Sequence, residues 1–227
     1  RILPAYERYN GRGYYVSISN ADRSPHLDYI ATVYHGIRMD DFRFQRQPSD
    51  YLLVFGRIHP DKGVAEAVQV AREAGRRLVI AGIIHDQAYY DEQVAPYVDG
   101  DRVRYIGPVG PADRSEVLGN AYALLHLVNF EEPFGLSMVE AMACGTPVIA
   151  RRRGAVEEIV SPGESGFIVD SPQEALAALG AVDQLDRSQV REYVAGRFSQ
   201  ARMVDGYVQV YEEVLQRHGR ARAGGEH

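Results

Sequence analysis

Cysteine is almost absent from this sequence, whose 227 residues include only Cys144. A single cysteine cannot build an internal disulfide framework, which excludes a fold held together by disulfides. The composition fits a reducing compartment, and the expected location is the cytoplasm. Cys144 lies beside Gly145 and is expected to be a small core residue.

Positive charge and long apolar runs are also scarce. The formal net charge is −6, so no broad basic surface is available for a phosphate backbone, and nucleic acid is not an expected partner. No apolar run approaches the ~18–20 residues of a membrane span, and no signal peptide opens the chain. Because "RILPAYERYN" does not resemble a natural start, we expect the chain to be a piece of a longer protein.

Several ligand-binding motifs are missing as well. The sequence has no Gly-x-Gly-x-x-Gly and no P-loop, and its histidines are scattered without metal-ligand spacing. One Asp-x-Asp triplet exists, Asp99-Gly100-Asp101, but it precedes a predicted strand and so falls at the amino edge of the sheet. We interpret the triplet as a turn, and no metal site is expected.

What the sequence does contain is an alternation of short apolar runs with helical patterns. Strands are predicted at 14–17, 31–33, 51–55, 78–81, 103–106, 123–128, 147–150 and 167–169. Helices are predicted at 64–74, 87–97, 112–119, 136–144, 155–160, 172–183, 188–196 and 200–216. Continuous apolar strands between helices indicate a parallel sheet covered on both faces. The predicted fold class is therefore α/β, a Rossmann-like doubly wound parallel sheet.

The two ends of the chain do not fit one such sheet neatly. Residues 1–30 precede the alternating pattern, and residues 36–50 are polar and resemble a connector. The last helix carries an apolar stripe that needs a partner, either its own sheet or a domain outside this chain. The residues of that stripe are Met203, Tyr207, Val210, Tyr211 and Val214.

Polar residues gather in two loops that follow predicted strands, where ligands of open α/β sheets bind. Arg57 and Lys62 follow strand 51–55, and Lys62 falls at the start of the next helix. A cation there opposes the helix dipole, and an anionic ligand would resolve the conflict. The alternative is that both are solvated surface cations.

The second loop lies in "NFEEPFGLSMVE". If a helix starts near Leu136, the backbone N–H groups of Gly135, Leu136 and Ser137 are free to bind phosphate or a sugar hydroxyl. Glu132 and Glu140 flank that helix start, and carboxylates suit vicinal diols. The alternative makes Glu132 a surface acid and Glu140 a helix residue that favours the dipole.

Together these segments resemble a known family. "FGRIHPDKG", followed by "EEPFGLSMVEAMACGTPVIA" with its Glu-x7-Glu pair, is similar to the C-terminal domain of retaining GT-B glycosyltransferases of glycosyltransferase family 4. "FSQARMVDGYVQVYEEVL" resembles the last helix of that family, which crosses back to the N-terminal domain. The family often has Pro-Ser where this chain has Val128-Asn129.

The resemblance implies roles for individual residues. Arg57 and Lys62 match the pair that holds the donor diphosphate, and Glu132 matches the acid that contacts the donor sugar. Glu140 matches the acid that binds the ribose. Matches to backbone and base contacts complete the set: Phe134, Gly135, Leu136 and Ser137 at the helix start, and Tyr105, Ile106, Gly107 and Val109 in the loop that meets the base.

The resemblance also implies a division of the chain and a function. Residues 1–35 would be a remnant of the N-terminal domain with the hinge, 36–198 the donor-binding domain, 199–217 the crossing helix, and 218–227 a flexible tail. The chain would bind a UDP-sugar or GDP-sugar without metal or other cofactor and transfer weakly or not at all alone. The acceptor, and any peripheral membrane contact, would belong to the missing N-terminal domain. Two alternatives remain: a non-catalytic nucleotide-sugar-binding module working with a separate chain, and an epimerase or phosphorylase of the same fold.

Overall fold

A computed structural model describes residues 3–223. The chain opens with a short helix, α1 (Leu3–Arg8), and two short parallel strands, β1 (Tyr15–Ser17) and β2 (Tyr29–Thr32). These strands form a small sheet of their own, separate from the main sheet. The segment before the connector therefore forms a small two-stranded parallel sheet whose strands are joined by a loop, and short apolar runs on either side of a polar loop predict such strands.

The main sheet has six strands, all paired in parallel. They are β3 (Tyr51–Phe55), β4 (Arg77–Ala81), β5 (Val103–Gly107), β6 (Ala123–His126), β7 (Val148–Arg151) and β8 (Gly166–Val169). Their order across the sheet is β5-β4-β3-β6-β7-β8, so the chain winds outward in one direction from β3 and then returns to the centre at β6. This is the doubly wound order of Rossmann-like domains, and the predicted fold class is confirmed.

Helices connect these strands and cover both faces. They are α2 (Val64–Glu73), α3 (Gln87–Tyr89), α4 (Pro111–Asn120), α5 (Leu136–Ala143), α6 (Val156–Ile159), α7 (Pro172–Leu179), α8 (Arg187–Arg197) and α9 (Gln200–Ala223). The helix α3 continues through a π-helical turn and a 3-10 turn as far as Tyr97, so the predicted segment 87–97 is helical but irregular. The helix predicted at 172–183 ends at Leu179, and a separate 3-10 turn, Val182–Gln184, follows it.

Alternate residues along the central strands divide the core between the two faces of the sheet. On one face, Leu53 and Leu124 pack with Met138 of α5 and Val194 of α8. On the other face lie Leu52 and its neighbours, which pack against α2 and α7. Both faces of the sheet are buried, which explains why the sequences of the strands are continuously apolar rather than alternating.

The predicted connector, 36–50, is fastened to the domain by its backbone. Arg191 of α8 donates to the carbonyl oxygens of Phe42 and Met39, the latter at 3.2 Å. Phe42 itself is buried in the core. The polar sequence of this segment therefore belongs to a loop that the guanidinium holds in place.

The last helix departs from the prediction in two ways. It extends to Ala223, so the predicted tail 218–227 is helical over its first part, while 224–227 lie outside the described residues. Alanine and arginine favour helix, and cations near the carboxyl end suit the helix dipole. Of the predicted stripe, Val210 is buried but Tyr211 is 64% exposed, because neighbouring residues point about 100° apart around a helix.

The partner of α9 lies mainly after residue 30. The amide of Gly36 donates to Met203 Sδ at 3.3 Å, and Val33 closely faces Gly206. Tyr14 meets the far end of the helix through the ring of His218, with 5.7 Å between ring centroids. Among the residues that the structure describes, no helix is long and apolar enough to cross a bilayer.

Candidate functional site

The centre of the sheet contains a topological switch point. Strands β3 and β6 are paired there, with Leu52 opposite Ala123 and Leu53 opposite Leu124, although two strands separate them in sequence. Because the connections from β3 and β6 lead to opposite sides of the sheet, the loops after them diverge and leave a crevice at their carboxyl ends. These are the two loops in which the sequence placed Arg57, Lys62 and Glu132.

The loop after β3 supplies the cations. Arg57 is exposed and makes no side-chain hydrogen bond or ion pair with any residue described. Lys62 ends a 3-10 turn, Pro60–Lys62, and Gly63 separates it from α2, so Lys62 precedes the helix rather than starting it. Gly63 has a φ of 64°, and a side chain there would strike the carbonyl oxygen of Leu127, which brings this loop against the end of β6.

The loop after β6 supplies a buried acid. Glu132 is only 7% exposed, and its Oε2 lies 3.2 Å from Lys62 Nζ and 3.2 Å from His126 Nε2. Burial alone would raise the pKa of Glu132, but the neighbouring His126 and Lys62 lower it below its usual value. The carboxylate therefore stays ionised inside the crevice. Lys62 also contacts the ring of Phe130, with Nζ 4.5 Å from its centroid.

The turn between this acid and α5 has the predicted form. Gly135 adopts a φ of 93° as the residue before α5, which requires glycine. No side chain of residues 3–223 caps the helix there, so the first amides of α5 point outward. Phe134 is buried against His35 and Phe198, whereas Leu136 is exposed and Ser137 is half-buried.

The second acid is also paired. Glu140, in α5, accepts a hydrogen bond of 2.9 Å from the guanidinium of Arg114 in α4. Burial raises the pKa of Glu140, and the charge of Arg114 opposes that shift. The structure thus gives each acid of the Glu-x7-Glu pair its own cation, and neither of them is a free surface acid.

The predicted base loop lies at the sheet edge, at the end of β5. Tyr105 donates its hydroxyl to the carbonyl of Gly82 at 2.9 Å, and Gly107 has a φ of 75°. Val109 packs against the core, whereas Ile106 is 38% exposed. Ile106 is therefore the apolar side chain of this loop that a ligand could cover.

The Asp99-Gly100-Asp101 triplet forms a turn before β5, at the amino edge of the sheet. The Asp99 carboxylate accepts hydrogen bonds from the amides of Asp101 and Val103, at 2.9 and 3.0 Å. These bonds lower the pKa of Asp99. Across residues 3–223, no group of three or more histidine, cysteine or acidic residues is placed to hold a metal ion.

Sequence reasoning missed two residues that contact the acids. His126 lies inside the run "ALLHLV". A polar residue within a buried strand is the signal that could have identified it as part of the site. Arg114 lies in the amphipathic helix α4, and nothing in its local sequence marks it as a partner of Glu140. The contact of His126 joins the end of β6 to the loop that follows it, and the contact of Arg114 joins α4 to α5. Only the fold brings the two side chains of each pair together.

The fold and the crevice define a class, the doubly wound α/β domain with a ligand site at its switch point. The model of the family described as glycosyl transferases group 1 matches residues 39–194, which cover the whole main sheet, α2 to α7 and most of α8. The chain belongs to this family, whose members are of the GT-B type.

Curated relatives carry the name D-inositol 3-phosphate glycosyltransferase. The chain is 31% identical over 225 residues to the protein from Mycolicibacterium smegmatis, a match that covers 88% of this chain and 50% of that protein. It is 33% identical over 184 residues to the protein from Segniliparus rotundus, covering 74% of this chain and 41% of that protein. The chain thus spans about half the length, or less, of the curated relatives it matches.

Solved structures share the fold. AviGT4, a glycosyltransferase involved in avilamycin A biosynthesis, superposes with a TM-score of 0.77 at 30% identity, covering 88% of this chain and 63% of AviGT4. Anabaena Alr3699/HepE, solved in complex with UDP-glucose, has a TM-score of 0.76 at 20% identity, covering 95% of this chain and 67% of that one.

Proposed function

We propose that this chain is the donor-binding half of a retaining glycosyltransferase of family 4 type, which moves a sugar from a nucleoside diphosphate sugar to an acceptor. The observation that carries the proposal is the meeting of the cation loop and the acid loop at the switch point, with Lys62 3.2 Å from Glu132. Family membership supports transfer of a glycosyl group. The UDP-glucose complex of the HepE structure supports a nucleotide sugar as donor.

In this proposal Arg57 and Lys62 hold the diphosphate, together with the free amides at the start of α5. Cleavage of a sugar–diphosphate bond builds negative charge on the leaving group, and fixed cations stabilise that charge as it forms. Arg57 is exposed and has no side-chain partner among the described residues, which leaves its guanidinium available for such a contact.

The two acids take the hydroxyl groups of the donor. Glu140 would accept from the ribose while it keeps its contact with Arg114, and Glu132 would accept from the transferred sugar. The loop Tyr105–Val109 would meet the base, with Ile106 as its exposed apolar side chain. The donor diphosphate then needs no metal ion to balance its charge.

The acceptor would be bound by the part of the protein that this chain does not include. The names of the curated relatives, D-inositol 3-phosphate glycosyltransferases, suggest a polyol or sugar phosphate as its chemical class. The chain alone would bind the donor and transfer weakly or not at all, and the whole protein would act in the cytoplasm. Residues 1–35 and 199–217 would be the parts that join the two halves.

Calorimetry of the chain with a panel of UDP-sugars and GDP-sugars tests the proposal. Charge-assisted contacts contribute roughly 1.5–3 kcal/mol each, so Arg57→Ala should weaken binding of the preferred donor about ten-fold or more. Arg102→Ala is the matched control, because Arg102 precedes β5 at the opposite edge of the sheet and should leave affinity unchanged. Equal affinities for the wild type and Arg57→Ala would refute the diphosphate assignment.

A further inference from the structure

One oxygen of Glu132 has two neighbours that can carry positive charge. Lys62 Nζ and His126 Nε2 each lie 3.2 Å from Oε2, and they reach it from different elements, the loop after β3 and the end of β6. The two contacts are not equivalent. Lys62 donates a hydrogen bond to Oε2, whereas Nε2 of His126, although close, is not aligned to form one.

His126 is almost completely enclosed. The residue is 5% exposed, and its Nδ1 lies 3.5 Å from the hydroxyl of Ser137 in α5. Its Nε2 is buried and makes no hydrogen bond to any part of the chain that the structure describes. Most buried polar atoms are satisfied, and leaving one unpaired costs free energy. The ring therefore has one unused hydrogen-bonding position, close to a carboxylate that Lys62 already holds.

Donor binding would change that arrangement. If Lys62 turns toward the diphosphate, Glu132 loses the hydrogen bond from its ammonium. Glu132 cannot compensate with water, because it is only 7% exposed. A buried carboxylate without a partner is strongly destabilising, so another group must replace the lysine. Among the described residues, His126 is the one already within reach of the same oxygen.

We propose that His126 is a positioning residue that replaces Lys62 as the hydrogen-bond donor to Glu132 when the donor diphosphate binds, and that His126 gains a proton in this exchange. The inference rests on the proposed function, since the diphosphate is what draws Lys62 away. In the donor-bound state a protonated His126 would donate to Oε2 and hold the carboxylate in the orientation that meets the sugar. The other oxygen, Oε1, would remain for the ligand.

The charges facing His126 fix the direction of the effect. Burial lowers the pKa of His126, Glu132 raises it and Lys62 lowers it; Ser137, the polar neighbour from α5, is uncharged. When Lys62 moves to the phosphate, its lowering effect on the pKa of His126 weakens, whereas the raising effect of Glu132 remains. The pKa of His126 therefore rises on binding. The donor then binds more tightly at low pH, and the affinity falls as pH rises from the free-state pKa to the bound-state pKa.

Calorimetry with UDP-glucose in buffers of different ionisation enthalpy measures the proton directly. The diphosphate of UDP-glucose is esterified at both ends and does not titrate near neutral pH, so any proton taken up belongs to the protein. We expect uptake of a fraction of a proton per molecule bound, and an affinity that falls by up to about ten-fold per pH unit within the window. His126→Gln, whose amide can donate but cannot titrate, should abolish the uptake and retain binding near pH 8.

An NMR titration of the His126 ring tests the coupling without depending on the ligand. In the free chain, Lys62→Met should raise the pKa of His126 and Glu132→Gln should lower it. Adding UDP-glucose to the wild type should act in the same direction as Lys62→Met.

The outcomes separate the two proposals. Proton uptake that persists in His126→Gln, or a His126 pKa that does not change when UDP-glucose binds, would overturn the proposed role of His126 while leaving donor binding intact. If UDP-glucose and the other donors do not bind at all, the proposed function is wrong, and so is the role of His126 that rests on it. The titrations of Lys62→Met and Glu132→Gln then still decide whether the three side chains form one coupled group.

Discussion

Glu158 fastens the N-terminal segment to the main domain. Its carboxylate accepts hydrogen bonds from the amides of Asn20 and Ala21, both at 2.8 Å, from the Asn20 side chain at 2.9 Å and from the Tyr34 hydroxyl at 2.8 Å. All of these donors lie more than a hundred residues away in sequence. Replacing Glu158 with alanine therefore removes the acceptor of four hydrogen bonds at once.

The expected loss of unfolding free energy is smaller than the sum of four separate hydrogen bonds. A hydrogen bond to a charged group contributes roughly 1.5–3 kcal/mol, but such values are not additive when one carboxylate serves all donors. The site is also half-exposed, so water replaces part of the loss. We expect Glu158→Ala to lower the free energy of unfolding by about 2–4 kcal/mol.

Urea unfolding of the chain measures the effect, and Glu157→Ala is its matched control. Glu157 is the preceding residue but forms only an exposed ion pair with Arg152, which should contribute less than about 1 kcal/mol. Hydrogen exchange at the amides of Asn20 and Ala21 should accelerate in Glu158→Ala alone. Equal unfolding free energies for the two variants, with unchanged exchange, would refute the reasoning.

The same contact predicts a pH dependence. Burial tends to raise the pKa of Glu158, but the amides of Asn20 and Ala21 hold it below its usual value. A group with a lowered folded-state pKa stabilises above its unfolded pKa, about 4.3 for glutamate, and loses that stabilisation as pH falls through the folded value. The stability difference between wild type and Glu158→Gln should therefore shrink below about pH 4.

Three further predictions concern a glycine, a buried guanidinium and metal ions. Gly63→Ala should cost more than about 2 kcal/mol of unfolding free energy, since a Cβ would lie 1.8 Å from the Leu127 oxygen; Gly75→Ala, at the same φ of 64° but in open space, should cost about 1 kcal/mol. Arg187→Met should destabilise by about 2–4 kcal/mol in urea unfolding, because it leaves three carbonyl groups unpaired, whereas the exposed Arg152→Met should have little effect. Chelator should leave UDP-sugar affinity unchanged in calorimetry, and a strict requirement for manganese or magnesium would contradict the proposed metal independence.

The sequence was a good guide to strands because their burial on both sides makes them continuously apolar. Predicted strand 51–55 has the same bounds as β3, and the others agree to within two residues at each end. The overshoot at 123–128 has a physical cause. β6 ends at His126, but Leu127 and Val128 are buried in the loop that follows, so apolarity there reflects packing rather than strand pairing.

The site was only half visible from the sequence. The switch-point rule led to Lys62 and Glu132, because each follows a strand that the apolar pattern had already located. It could not show that the two side chains touch, or that Arg114 satisfies Glu140. Such pairs depend on the distance between elements, which a local pattern does not encode.

Asn129 shows how a change of residue type can keep a loop in place. It stands, after Val128, where the resembling family often has Pro-Ser. Its amide donates to the carbonyl of Asp61 at 2.7 Å, and its side chain donates to the carbonyl of Pro60 at 3.1 Å and to Glu66 at 2.7 Å. A serine hydroxyl has one proton to donate, whereas the asparagine amide has two and uses both. Asn129 thus ties the loop after β6 to the loop that carries Lys62 and to the first turn of α2, and here a departure from the family's usual residues supplies contacts between the two loops of the site.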